Sequence, residues 1–431
     1  MAERQSKQRR SRKVVELAIE SIGARGDGIG RADGRLVYVP LTIPGDRLRV
    51  ELKRPRGDGF AGRILAVLSD GPGRIAAPCP HFGGCGGCAL QHLEDRRYAQ
   101  WKEQAVRAAL ARRGFADPPL QPLVRIAPGS RRRTSLVAER AGRSVRLGFH
   151  ARESHQVIDA AGCLVLTPAL SALLAPLREA FLAMLIDGER IEVTATATDS
   201  GVDLLMAGKR PLALGAREAL AVLAAKADLA RIMWRADRSL PDPVAIRRPA
   251  RIAFAGVSVD LPPGAFLQPT AAGEAALVAA VTQALSGCRE VADLYAGCGT
   301  FTFPLARGAR VHAVEGDAEA IAALAAAARR TAAGHAITAE QRDLANDPPS
   351  GEELKRFDGV VFDPPRAGAK ALAERLARSA VAKIVAVSCD PATFARDARI
   401  LVDGGYRLKE ATPIDQFVWS PHVEIVALFT R

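Results

Sequence analysis

Seven cysteines in 431 residues are too few for a disulfide scaffold, which excludes the small secreted cross-linked classes. No apolar run approaches the ~20 residues that cross a bilayer. The opening, MAERQSKQRRSRK, lacks the apolar core of a secretory signal. Acidic side chains are also short: 47 Asp and Glu stand against 60 Lys and Arg, a formal charge of +13. That balance favours an anionic partner. The expectation is a soluble cytoplasmic protein, monomeric and without a membrane partner. The length suits two or three domains, each with its own core.

What cysteine there is clusters, since Cys79, Cys85 and Cys88 fall within ten positions. In a reducing compartment such spacing suggests a metal site. Residues 1–13 hold six basic side chains and one acid with little that is apolar, so a disordered basic tail is expected. Residues 14–68 then show short β-branched runs (VVELAIESI, RLVYVPLTI, RLRVELKR, AGRILAVLS) between Gly-containing turns, one of them at 23–30. This pattern predicts a five-stranded OB-like β-barrel. Residues 93–113 read as an amphipathic helix. Residues 125–152 carry eight arginines against one acid, among them Arg131, Arg132 and Arg133, a run expected to meet RNA phosphates. A central α+β domain is predicted over 69–255.

Residues 256–431 alternate apolar strands with Ala-rich helices, as a doubly wound parallel sheet does. Strands are predicted at 290–294, 311–314, 337–340, 359–362 and 383–387, each followed by a helix, with a terminal antiparallel hairpin from YRLKEATPIDQF and HVEIVALFTR. The first strand runs into the Gly-rich turn DLYAGCGT, where a ligand can approach the backbone. Position 302 is Thr where the dinucleotide fingerprint needs its third Gly. With Glu315 and Asp343 ending the next two strands, the pattern favours S-adenosylmethionine over NAD.

Strand four ends in Asp363-Pro-Pro-Arg366 and strand five in Ser388-Cys389-Asp390. A DPP tip serves methylases of exocyclic amines, but an aromatic usually follows it there. Arg366 and a facing cysteine fit a carbon target better. Carbon 5 of uracil is a poor nucleophile until a thiolate adds at carbon 6, and Cys389 is the thiol for that step. Glu424 lies in the apolar run HVEIVALF, where burial would raise its pKa into the range of a base. A packed core cysteine and an outward-facing strand acid are the plainer alternatives.

With these residues in view, nearly the whole chain resembles the RNA (uracil-5-)-methyltransferase family. The likeness is to its 23S rRNA type, with an N-terminal TRAM domain and an iron–sulfur cluster. The likeness rests on CPHFGGCGGC with a later GC at Cys163, SRRRTSL, FLQPT, DLYAGCGTF, VEGD, FDPPRAG, VSCDPATFARD and HVEIVALFTR. The resemblance implies that Gln268, Tyr295, Thr300, Glu315, Asp343 and Asp363 bind S-adenosylmethionine or frame the base. It makes Cys389 the nucleophile and Glu424 the base, and 14–68 the TRAM barrel. It allows residues 93–124 to belong spatially to the catalytic domain. Thr270 and Thr300 stand where the family usually has Asn, and Ala296 where it has Cys.

Cys79, Cys85, Cys88 and Cys163 would suit a tetrahedral zinc or a [4Fe–4S] cluster, because thiolates serve both. Spacing does not separate the two, and the resemblance implies the cluster. Cys288 and Cys298 read as structural. The expected partner is RNA, 23S rRNA ahead of tRNA. A cytosine-5 methyltransferase and a catalytically silent RNA-binding protein are the alternatives, and the latter would need neither Cys389 nor Glu424. A radical S-adenosylmethionine enzyme would carry C-x3-C-x2-C and its TRAM domain at the other end.

Overall fold

The computed structural model describes residues 13–331, 334 and 336–431, so the expected basic tail at 1–13 lies, but for Lys13, outside the described residues. The chain divides into two compact units, one of residues up to Trp101 with Trp419–Pro421, the other of Lys102–Val418 with His422–Arg431.

In the first unit β1 (Val14–Ile22), β2 (Gly28–Ala32), β3 (Arg35–Val39), β4 (Arg47–Arg56) and β5 (Gly59–Ser69) close a barrel in the order β1-β2-β3-β5-β4. Alternation sends Leu17, Ile19, Val37, Val39, Leu48 and Val50 inward, as the two-residue period of a strand requires. One expectation is corrected in part: residues 28–30, the end of the predicted turn at 23–30, belong to strand β2. A Cβ on Gly30 would sit 2.5 Å from the Ala18 carbonyl oxygen. Glycine here permits close strand packing rather than a turn. Residues 71–92, with three cysteines, follow as short turns. The predicted helix is α1 (Asp95–Ala111), which from Lys102 onward belongs to the second unit.

After α1 the second unit continues with the short β6 (Val124–Arg125). A seven-stranded sheet follows, from β7 (Arg133–Ala141), β8 (Ser144–His150), β9 (Val157–Asp159), β10 (Arg190–Thr198), β11 (Gly201–Gly208), β12 (Arg231–Ala236) and β13 (Asp242–Ile246). Helices α2 (Pro168–Met184) and α3 (Leu214–Lys226) share its core with Leu136, Val193, Leu204 and Trp234. The hairpin β14 (Arg251–Phe254) and β15 (Val257–Asp260) leads into α4 (Ala271–Ala284).

The parallel strands appear where the apolar runs predict them: β16 (Glu290–Leu294), β17 (Arg310–Glu315), β18 (Ile337–Gln341), β19 (Gly359–Phe362) and β20 (Lys383–Ser388). The helices after them are uneven. α5 (Thr302–Leu305) and α7 (Gly351–Leu354) are single turns, whereas α6 (Ala318–Arg329), α8 (Lys370–Ala377) and α9 (Pro391–Asp403) are longer. The hairpin is β21 (Arg407–Asp415) and β22 (Glu424–Thr430), giving the order β18-β17-β16-β19-β20-β22-β21-β6. β22 runs antiparallel to both neighbours. No helix among the described residues is long and apolar enough to cross a membrane.

Candidate active site

Open α/β sheets bind ligands beyond the carboxyl ends of their strands, at the point where strand order reverses. Here that point lies between β16 and β19, with β17 and β18 to one side and β20 to the other. The tips of β16, β17, β19 and β20 present Tyr295, Glu315, Asp363 and Cys389 along one edge. Because β22 runs the other way, its first residue, Glu424, falls at that same edge. Ser388 pairs with Ile425, which leaves Cys389 and Glu424 side by side at the end of the ladder.

The side chains there form one hydrogen-bonded chain. Gln268 Nε2 donates to Asp363 Oδ2 at 2.9 Å. Gln416 Nε2 donates to Gln268 Oε1 at 2.9 Å and to Glu424 Oε2 at 2.8 Å. Glu424 is only 3% exposed, and its carboxyl is pushed up to about 7 by burial, against the pull of the Gln416 amide and the Arg366 guanidinium. Asp363 is raised well above the carboxylate range by burial, then by the charges of Glu424 and Asp293. Asp293, buried with Thr302 Oγ1 donating to its Oδ2 at 2.5 Å, is pushed up to about 7 by burial, with a further upward push from Glu315. The half-buried Cys389 thiol is pushed up to about 11 by burial, Glu424 and Asp363, while Arg366 pulls it down. Such clusters of carboxyls held near neutrality are where proton transfer is performed.

On the other side of the reversal, Tyr295 holds a left-handed backbone, φ 64°, a conformation that costs a bulky residue energy and gathers at ligand sites. Glu315 accepts the Gly297 and Asp317 N–H groups, each at 2.9 Å, and retains lone pairs for ribose hydroxyls. Asp343 turns its carboxylate onto its own loop, accepting from Ala345 N–H at 3.1 Å and from the Asn346 side chain at 2.8 Å. Thr300 lines a pocket of about 430 Å³ together with Phe254, Glu274, Val278 and Arg307.

Two buried cations hold the backbone around these groups. Lys102, fully buried on α1, pairs with Asp415 at 2.8 Å and donates to the carbonyls of Phe417 and His422. The second corrects the reading of the arginine run. Arg132 pairs with Glu274 at 2.6 Å and donates to the Gln268 carbonyl. Arg133 donates to the carbonyls of Ala265 and Gly264. These two side chains anchor the segment that carries Gln268 instead of facing phosphates. Arg132→Ala is therefore expected to cost about 3 kcal/mol by leaving Glu274 buried and unpaired. The slope of log affinity for RNA against log salt should stay as in the wild type. Denaturant unfolding and a salt series of RNA-binding measurements check both.

Relatives match along nearly the whole chain. A Caulobacter vibrioides protein named an uncharacterized RNA methyltransferase is 42% identical over 97% of this chain and 100% of its own length. The 23S rRNA (uracil(1939)-C(5))-methyltransferase RlmD of Chromohalobacter salexigens is 37% identical over 96% of this chain and 89% of its own. The chain belongs to the RNA (uracil-5-)-methyltransferase family. The family model described as tRNA (Uracil-5-)-methyltransferase matches residues 252–431, and the TRAM domain model matches 8–57. The structure of the Pyrococcus abyssi tRNA (uracil-54, C5)-methyltransferase in complex with S-adenosyl-L-homocysteine is similar at TM-score 0.72, with 26% identity, over 96% of this chain and 100% of that one.

In this RNA (uracil-5-)-methyltransferase, Gln268, Asp363, Cys389 and Glu424 come together as the sequence suggests, with Tyr295 and Glu315 on the tips across the strand-order reversal. Thr300 turns to the pocket beside α4, and Asp343 is occupied by its own loop. Gln416, Lys102 and Asp293 escaped the sequence reading. Gln416 is a neutral amide outside any periodic pattern, while Lys102 on α1 and Asp293 near the end of β16 differ from surface charges only in being buried. None of the seven cysteines is in a disulfide. Cys79, Cys85 and Cys88 lie in the first unit, where the Gly87 N–H meets Cys85 Sγ at 3.4 Å. Cys163 lies in the second, against the core of the seven-stranded sheet. Cys288 and Cys298 are buried in the core of the parallel sheet. Among the described residues no group of three or more His, Cys, Asp and Glu side chains is gathered as metal ligands.

Proposed function

We propose that this methyltransferase modifies carbon 5 of a uridine in 23S rRNA, with Cys389 as nucleophile and Glu424 as base. The observation that carries the mechanism is the meeting of thiol, buried carboxyl and Asp363 at one sheet edge, produced by the reversed direction of β22. Cys389 first gives up its proton to solvent; as the thiolate its Sγ bonds to carbon 6 and the ring electrons move to form an enolate, nucleophilic at carbon 5. S-adenosylmethionine, when bound, supplies an electrophilic methyl group. Carbon 5 then carries both methyl and hydrogen. Glu424 takes that proton, the 5,6 double bond re-forms and the thiolate leaves, so the enzyme keeps one proton and the RNA gains a methyl group. A carboxyl near 7 is half ionised at neutral pH and accepts a proton readily.

Glu315 and Tyr295 hold the cofactor in this reading, and Gln268 and Asp363 frame the base. The choice of 23S rRNA is supported by the Chromohalobacter relative's name and by the barrel preceding a cysteine cluster. We also assign a [4Fe–4S] cluster to Cys79, Cys85 and Cys88, with Cys163 as the fourth thiolate implied by the sequence. Soft thiolate donors and an N–H directed at the Cys85 sulfur are the chemistry such a cluster uses. No reaction step passes through it.

Mapping 5-methyluridine in rRNA and tRNA from cells with and without the gene tests the target. Loss of one site in 23S rRNA is expected, and loss confined to tRNA would overturn that choice. Protein purified without oxygen should carry about four irons per chain and lose them in Cys85→Ser. A colourless protein with one zinc would replace the cluster.

A further inference from the structure

We infer that Gln416 is a positioning residue for the Glu424 carboxylate, the link that fixes it in one frame with Gln268 and Asp363. The inference rests on Glu424 being the base. An amide nitrogen has two N–H groups, and Gln416 commits both, one to Glu424 Oε2 at 2.8 Å and one to Gln268 Oε1 at 2.9 Å. The plane of this one amide therefore sets where the carboxylate points. Gln268 passes the constraint on to Asp363. The cost is visible in the same side chain: Gln416 Oε1 is buried without a hydrogen-bond partner. Rotating the amide would bring that oxygen against the oxygens of Gln268 and Glu424, so the unsatisfied oxygen marks the orientation the two acceptors impose.

The packing around Gln416 leaves it no other place. It is 1% exposed, and the first turn of α4 closes over it. A Cβ on Gly273 would lie 2.6 Å from Gln416 Oε1 and 2.7 Å from its Cβ. Its backbone is held on both sides, because Lys102 binds the Asp415 carboxylate and the Phe417 carbonyl. The charged or titratable groups bearing on Glu424 are Asp363 at the tip of β19, Cys389 at the tip of β20, and Arg366. The nearby acids on other elements are engaged elsewhere: Asp415 with Lys102, Glu274 of α4 with Arg132, and Asp390 with the N–H groups of Ala392 and Thr393. The Gln416 amide is thus the neutral donor that favours the ionised form of the base.

The test compares Gln416→Met, of similar length without an amide, and Gln416→Asn, whose amide is too short, with wild type and Glu424→Gln. S-adenosylmethionine affinity should stay near wild type in both Gln416 variants, and the single-turnover rate of methyl transfer should fall less than product release does. Release of methylated RNA should slow about tenfold on the acid side, as the acid limb of its pH profile moves up by about one unit. A covalent protein–RNA species should accumulate on a denaturing gel. If Gln416→Met does not fold, Gln416→Asn carries the same comparison. Release rates and an acid limb unchanged from wild type, or an even slowing of all steps without a shift of the limb, would overturn the inference. Absence of a trapped adduct in Glu424→Gln would instead overturn the reading of Glu424 as the base.

Discussion

Cys389→Ala is expected to lose methyl transfer and covalent capture of RNA together, by several orders of magnitude, while binding S-adenosylmethionine and melting much as the wild type does. Uracil carbon 5 lacks the electron density to attack a methyl donor, and only addition at carbon 6 provides it. Among the described side chains beside Cys389 and Glu424 there is no second thiol, and the carboxyls, amides, hydroxyls and guanidinium there are poorer nucleophiles toward carbon 6. The thiol itself is poorly ionised before RNA binds, being pushed up to about 11 by burial and by Glu424 and Asp363, with Arg366 opposing. Alkylation of Cys389 in the free enzyme should therefore be slow at pH 7 and quicken as the pH climbs toward 11, because the thiolate is the reactive form. RNA carrying 5-fluorouridine should trap the wild type as a stable adduct and leave Cys389→Ala untouched, since fluorine does not leave as a cation. Measurable 5-methyluridine from Cys389→Ala at near the normal rate would exclude the mechanism.

The parts of this molecule that the sequence reveals are those where burial and chain direction leave a local mark. Strands covered on both faces read as unbroken apolar runs, so β16, β17, β19 and β20 stand out. Cys389 and Asp363 follow such runs directly, and Glu424 shows as an acid inside one. β2 is hidden because its glycines, Gly28 against Thr42 and Ile19 and Gly30 against Ala18, serve close packing and resemble a turn. The arginine run misleads for a related reason. A charge written in the sequence carries no sign of burial, and Arg132 finds Glu274, 142 residues away. Gln416 is the least legible of all. A neutral amide between Asp415 and Phe417 has no period and no charge, and its place is set by partners on α4, β22 and the segment before α4.

Glu424→Gln separates the end of the reaction from its beginning. Glutamine keeps the shape and can still accept the Gln416 N–H through its oxygen, yet it cannot take a proton. Addition and methyl transfer should proceed, and the methylated adduct should stall before release. With a labelled methyl group, the label should migrate with the protein on a denaturing gel, and steady turnover should fall by about 10² to 10⁴. Because the base works ionised, wild-type release should rise with pH through about 7 and level off above it, a limb the variant should lack. Stability gives a second reading, independent of RNA. Burial raises the Glu424 carboxyl from 4.5 to about 7, so between these values the folded state binds more protons than the unfolded chain, and ionising the group destabilises the fold as pH rises. Glutamine is spared that loss. The difference in melting temperature, variant minus wild type, should therefore grow more positive from pH 5 to pH 8. A variant that turns over freely would move the base elsewhere, and a melting difference flat across that range would mean that Glu424 is not a buried carboxyl titrating near neutrality.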